Sequence, residues 1–256
     1  MVELGLSAVE LRSQPVELSL GAPSVPRAGR KATPEQRAAQ RAAVEDLRSW
    51  RLSASLAAFQ AFRTKYKAAG VNIDIVKFDG VQSMTDDELD YSFQITKALG
   101  ARFITCEPPR SATKRIATFA TKHRLMVGYH GHADITSPEA FGSPRSWEEV
   151  MSYSNYHGAN VDIGHFIAGN GFSPAEFIKQ HHNRITNLHI KDRKRNEGPN
   201  MPWGEGDTPI RKILQLMKQQ KYDFMATIEM EHQVPEGSNT MAELAKCIQF
   251  CKNALA

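Results

Sequence analysis

The chain has 256 residues, 41% of them hydrophobic and 23% charged, a composition that argues against global disorder and supplies a sizeable core. Its formal net charge is +4, with 32 basic residues interleaved among 28 acidic ones, so nothing demands nucleic acid or a membrane as partner. No apolar run approaches the roughly 20 residues of a membrane span.

Ala8 to Arg12 (AVELR) reads as the first strand, preceded by Met1 to Gly5 as the tail of a helix. Residues 21 to 32 are loop-like. Thr33-Pro34-Glu35 places a cap and a proline at the start of a helix running to about Trp50. A second helix, Leu56 to Ala69, is closed by Gly70, and Val71 to Phe78 is a strand. Thr85 opens a helix with acids in its first turn, ended by Gly100. Then come strand Arg102 to Cys106, helix Ala112 to His123, a strand from Leu125 that carries the chain to His132, and short helix Trp147 to Tyr153. Asn160 to His165 (NVDIGH) is the next strand. Ser173-Pro174-Ala175-Glu176 forms a capping box for helix Phe177 to His181. Strand Ile185 to Asp192, a long polar loop, helix Pro209 to Gln220, strand Phe224 to Glu231 and helix Asn239 to Ala254 complete the chain.

Seven strands alternating with helices predict a parallel α/β sheet, and without repeats or linkers a single domain over 1–256. Seven is one short of an eight-stranded barrel. Either the native polypeptide begins upstream of Met1, or the barrel has a gap between AVELR and FMATIEME. Bare strand edges invite association, so a homo-oligomer covering them is an expectation. The N-terminus lacks the basic-then-apolar order of a signal peptide, which makes a cytoplasmic location the default, with an upstream leader left open. Cys106, Cys247 and Cys251 include no CxxC and read as buried thiols in a reducing compartment.

Four successive strands end on metal-competent side chains: His130, Asp162, His189 and Glu229. The strand C-termini of a parallel barrel open on one face, so these four should converge on one divalent ion. For any one of them the plainer alternative is a hydrogen-bonded group capping a strand. Two imidazoles and two carboxylates suit Mn, Zn or Co better than Mg. His132 shares strand parity with His130, and Lys191 with His189, so both should face the same mouth. His132 then reads as a general acid/base, with a substrate-hydroxyl contact as its alternative. Lys191 reads as an ammonium holding a substrate oxygen, or as an ion pair with Asp192 or Glu229. Glu107, ending a strand in CEPP, is a candidate substrate contact or extra base, and Glu10 a weaker one. The run Lys191 to Arg195 (KDRKR) lacks interleaved aromatics and makes a cationic rim rather than a nucleic-acid patch, with Arg193 a substrate contact. Trp203 is either a ring for a sugar face or the plug under its loop.

The motifs GYHGH (Gly128 to His132), DIGH (Asp162 to His165), HIKDR (His189 to Arg193), WGEGD (Trp203 to Asp207) and IEME (Ile228 to Glu231) resemble those of the sugar phosphate isomerase/epimerase family. These are the xylose isomerase-like TIM barrels, and the likeness covers nearly the whole chain from Leu4. It implies a parallel (β/α) TIM-type barrel, here lacking its first strand, that holds one divalent metal ion at the ends of its last four strands. In that family the metal polarises a substrate carbonyl and stabilises an enolate after proton removal. Asp162, His189 and Glu229 match the family positions, while His130 stands where many members carry glutamate. Dehydratases of the superfamily have a histidine at the place of His132, and the histidine matching His165 touches substrate.

The implied activity is metal-assisted proton abstraction beside a carbonyl, on a keto sugar or an oxidised glycoside or polyol, with His132, Glu229 and Lys191 as catalytic groups. Epimerases of the family work with two glutamates on opposite faces of the substrate. His130 breaks that symmetry, which moves weight toward β-elimination by a lyase. A true ketose isomerase/epimerase is the second reading, and a non-catalytic sugar- or metal-binding barrel subunit the third. With no phosphate-cradling motif present, a phosphorylated substrate is not carried over.

Overall fold

Short β-branched runs separated by amphipathic segments resolve, in the computed structural model, into a parallel sheet wrapped by helices. The structure describes residues 1–29 and 31–256; Arg30, inside the loop expected over 21–32, lies outside the described residues. The strands are β1 (Ala8–Arg12), β2 (Asn72–Phe78), β3 (Phe103–Cys106), β4 (Met126–His130), β5 (His157–Asp162), β6 (Ile185–Ile190) and, after the hairpin β7 (Asp192–Arg193) and β8 (Asn200–Met201), β9 (Met225–Ile228). The main sheet has seven strands in the order β1-β2-β3-β4-β5-β6-β9, and every pair in it is parallel. It is a nearly closed TIM-type barrel, with β1 and β9 at its two free ends.

The helices are α1 (Ser13–Ser19), α2 (Pro34–Ser53), α3 (Leu56–Ala68), α4 (Asp86–Ala98), α5 (Thr113–His123), α6 (Pro144–Met151), α7 (Ile163–Asn170), α8 (Ala175–His181), α9 (Ile210–Gln220) and α10 (Thr240–Leu255). Thr33 and Thr85 both form complete capping boxes, on α2 and α4. Their apolar faces pack onto the sheet through Phe59, Phe93, Ile116, Trp147 and Ile213, all 3% exposed or less. Among the described residues, no helix is long and apolar enough to cross a membrane.

Three local expectations are corrected. NVDIGH is not all strand: β5 stops at Asp162, whose carboxylate accepts the His165 amide at 2.7 Å and so caps α7. The Ser173 capping box does not form, since α8 starts after Pro174 and Ser173 instead accepts the Ala175 amide. The polar loop after β6 contains the β7/β8 hairpin. Helices α1 and α7 have no counterpart among the expected elements.

His157 opens β5 with its ring fully buried, bonded to Tyr129 Oη and Val150 O at 3.1 Å each. Burial, with Arg184 nearby, pushes its pKa down from 6.5 to about 4. Between those values the unfolded chain binds more protons than the folded one, so stability should fall as pH drops through that window, by up to about 1.4 kcal/mol per pH unit. Thermal melts of His157→Gln should show a flatter pH dependence between pH 6.5 and 4 than the parent, and an unchanged slope would contradict this assignment.

Candidate metal centre and active site

His130 is the last residue of β4, Asp162 the last of β5, and His189 lies at the end of β6. Glu229 follows β9 directly, its amide still bonded to Ile190 O at 3.0 Å. One ligand atom from each of the four lies within 4.8 Å of the others. His130 Nε2 is 3.6 Å from Asp162 Oδ2 and 3.9 Å from Glu229 Oε2, and His189 Nδ1 is 3.0 Å from Glu229 Oε2. His130 and Asp162 are buried; neither ring nitrogen of His130 has a hydrogen-bond partner, and Asp162 Oδ2 is met by the Lys191 ammonium at 2.9 Å. Orphaned buried polar atoms are costly, and His130 Nε2, which faces Asp162 and Glu229, would be satisfied by a cation held among them.

The orientation of His189 depends on a residue the sequence ranked low. Glu10, on β1 at the far side of the sheet order, places Oε2 2.6 Å from His189 Nε2. A register slip between Val9 and Glu10 accompanies this placement. Glu10 also accepts from Asn187 Nδ2 at 2.9 Å and from Thr105 Oγ1. Burial disfavours the Glu10 carboxylate, but His189, Thr105 and His130 outweigh it and hold its pKa at about 2. Burial likewise opposes charge on His189, and the carboxylates of Glu10 and Glu229 lift it to about 10. A carboxylate on Nε2 leaves Nδ1 for a metal, the usual way an outer carboxylate aims a histidine ligand.

Lys191 is buried, with Nζ 2.9 Å from Asp162 Oδ2, 2.9 Å from Glu229 Oε2 and 2.6 Å from Glu231 Oε2. Burial would lower its pKa, but these carboxylates raise it, keeping the ammonium charged. Its stem needs Gly164, since a Cβ there would lie 2.3 Å from Lys191 Cγ. Asp192 is not its partner. Instead its carboxylate accepts the amides of Gly204, Gly206 and Thr208 at 2.7–3.1 Å, clamping the WGEGD loop.

His132 Nε2 lies 3.2 Å from Glu107 Oε2, and its ring centroid is 4.9 Å from those of both His130 and His165. The hydrogen bond from His132, against the cost of burial and with help from His130 and Lys77, holds Glu107 well below the usual carboxylate range. Glu107 is therefore committed to His132 and Lys77. The Arg193 guanidinium donates to His165 Nδ1 at 2.6 Å and to Gly198 O at 3.0 Å, which leaves His165 presenting Nε2 at 3.9 Å from Asp162. Burial first, then Lys191 and the neighbouring histidines, depress His165 to about 3. Trp203 packs edge-on against Phe250 of α10 with ring centroids 5.9 Å apart, a contact expected of a plug under its loop. A cavity of about 270 Å³ lined by Glu107, His130, His132, Ser137 and Phe141 opens beside the site.

The profile of the xylose isomerase-like TIM barrel matches residues 2–252. The chain belongs to this family. No curated protein matches it by sequence. Among solved structures it is similar to a xylose isomerase domain protein from Alicyclobacillus acidocaldarius (15% identity, 100% of this chain and 92% of that one, TM-score 0.67). It is similar to the D-psicose 3-epimerase of Clostridium cellulolyticum (11%, 99% and 91%, TM-score 0.66). A third is the probable 3-DHS dehydratase AsbF of Bacillus anthracis (12%, 98% and 90%, TM-score 0.65). At such identities the likeness is one of fold.

A xylose isomerase-like barrel of this kind has, in His130, Asp162, His189 and Glu229, a donor set that fits a divalent cation. Replacing Glu10 tests how far that set depends on its support. Glu10→Gln should lower affinity for Zn or Mn about 10–100-fold, read by calorimetry, while leaving the circular dichroism spectrum unchanged. Full affinity in that variant would show that His189 is aimed by something else.

Proposed function

We propose that this barrel is a divalent-metal-dependent enzyme that abstracts a proton beside the carbonyl of a keto sugar or oxidised glycoside, with β-elimination as its outcome. The observation that carries the reading is the convergence of His130, Asp162, His189 and Glu229, with buried unpartnered donors, next to the exposed and carboxylate-oriented His132. A divalent ion bound there supplies Lewis acidity to a carbonyl oxygen, which is what makes a neighbouring C–H acidic enough at neutral pH.

The residues divide the work as follows. Glu107 accepts from His132 Nε2, so Nδ1 is the basic nitrogen, on a side chain that is 48% exposed at the mouth. His132 takes the carbon-bound proton at Nδ1. Glu229 is held ionised, chiefly by His189 against the cost of burial, and Lys191 is held charged among three carboxylates, so neither suits proton exchange with substrate. Lys191 serves electrostatically, and His165, its Nδ1 occupied by Arg193, offers Nε2–H to a substrate oxygen. The proton that His132 removes is then returned to the leaving oxygen on the same face. The C–H and β C–O bonds break, a C=C bond forms, and the products are an unsaturated ketone and the released hydroxyl compound.

Isomerisation or epimerisation is the second reading, supported by the fold likeness to a 3-epimerase. It needs a proton returned to the opposite face or the neighbouring carbon, for which His130 in place of a glutamate is poorly suited. His132→Ala should lose about 10²–10⁴-fold in turnover while keeping its tightly held metal, whereas His189→Ala should lose both. Metal analysis and incubation with a 3-keto glycoside check this. Interconversion of two epimers without release of any group would favour the isomerase. Metal binding with no solvent-deuterium exchange into keto sugars would leave a non-catalytic binding barrel.

A further inference from the structure

We propose that Glu107, His130 and His132 form a second, weaker divalent-cation site that shares His130 with the first and silences His132 when filled. The inference rests on the metal reading of the first site and adds a regulation to it, namely inhibition by excess metal.

One ligand atom from each of the three residues lies within 4.8 Å of the others. His132 Nε2 is 3.2 Å from Glu107 Oε2, and His130 Nδ1 is 3.5 Å from Glu107 Oε1. Donors bound tetrahedrally to Zn stand about 3.4 Å apart, so both separations need only small adjustment. The second observation is His130 itself. It is 3% exposed, its Nε2 faces Asp162 and Glu229, its Nδ1 faces Glu107, and neither nitrogen has a hydrogen-bond partner. Were Glu107 only the orienting carboxylate of a single-metal site, Nδ1–H should donate to it, and 3.5 Å is too long for that. The adjoining cavity of about 270 Å³ gives access and room for waters to complete the shell.

Two features make this site the weaker one. The Lys77 ammonium is already paired with Glu107 and competes with the cation. A ring bound at both nitrogens must also release its remaining N–H proton to solvent, which adds a cost the first site does not carry. The two cations would sit about 6 Å apart across the ring. With Nε2 of His132 bonded to a cation, the proton it gave to Glu107 shifts to Nδ1, which then has no lone pair left to accept one from substrate.

The test is a Co(II) titration of the metal-free full chain, followed by calorimetry and visible absorption. Wild type should take up two equivalents, the second about 10–100-fold more weakly. Glu107→Gln should remove the second step and keep the first, and Lys77→Met should tighten the second. Uptake of a single equivalent by wild type overturns the proposal. So does a second step that survives Glu107→Gln, or a Glu107→Gln variant that merely weakens one tight step. Asp162→Asn separates this inference from the reading it rests on. Loss of the tight step with the weak one retained supports both, whereas an unaffected tight step removes the first site as assigned while Glu107→Gln still decides the second.

Discussion

The contact between Glu10 and His189 is the constraint on which the site depends. It joins the first strand of an open sheet to the sixth across the barrel interior, at 2.6 Å, with both side chains about 5% exposed. A buried carboxylate and ring are expensive to desolvate and stable only when each remaining lone pair is answered. Here Asn187 and Thr105 complete the shell of Glu10, while Glu229 takes the other nitrogen of His189. The same contact ties β1 across the open side of the barrel and decides which nitrogen of His189 faces the centre.

From that point negative charge accumulates toward the mouth. Glu10, Asp162, Glu229 and Glu107 are all held ionised, and Glu231 adds a fifth carboxylate against Lys191. The cations that answer them are Lys191, Lys77 against Glu107 and, in its doubly protonated form, His189. A centre with this surplus of carboxylate and the unpartnered Nε2 of His130 is electrostatically prepared for a cation. Charge surplus and an orphaned donor are separate observations, and they point to the same place.

Around this centre the motif residues that look chemical are largely scaffolding. Gly164 of DIGH leaves space for the Lys191 stem, and Gly128 of GYHGH admits Thr186, whose Oγ1 would be 1.9 Å from an added Cβ. Asp192 of HIKDR staples the WGEGD loop through three backbone amides, and Trp203 anchors that loop on α10. Arg193 acts through His165. Of the cationic run after β6, Lys191 is buried, whereas Arg195 is exposed.

The amino-acid sequence by itself determined the alternation of seven strands with helices and the four residues placed at successive strand ends. Both are local: β-branched runs, caps and turns set each element, and a parallel barrel brings its strand ends to one face. The end of β5 was misread because Asp162 closes a strand and caps a helix at once, two signals that overlap in NVDIGH. What the tertiary structure alone decided are the pairings between residues distant in the chain. Glu10 meets His189 across 179 positions, Lys191 meets Glu231 across 40, and Glu107 reaches His132 instead of open solvent. Such contacts depend on register, barrel closure and rotamer together. No local pattern encodes which of two nitrogens, or which of several carboxylates, ends within hydrogen-bond reach.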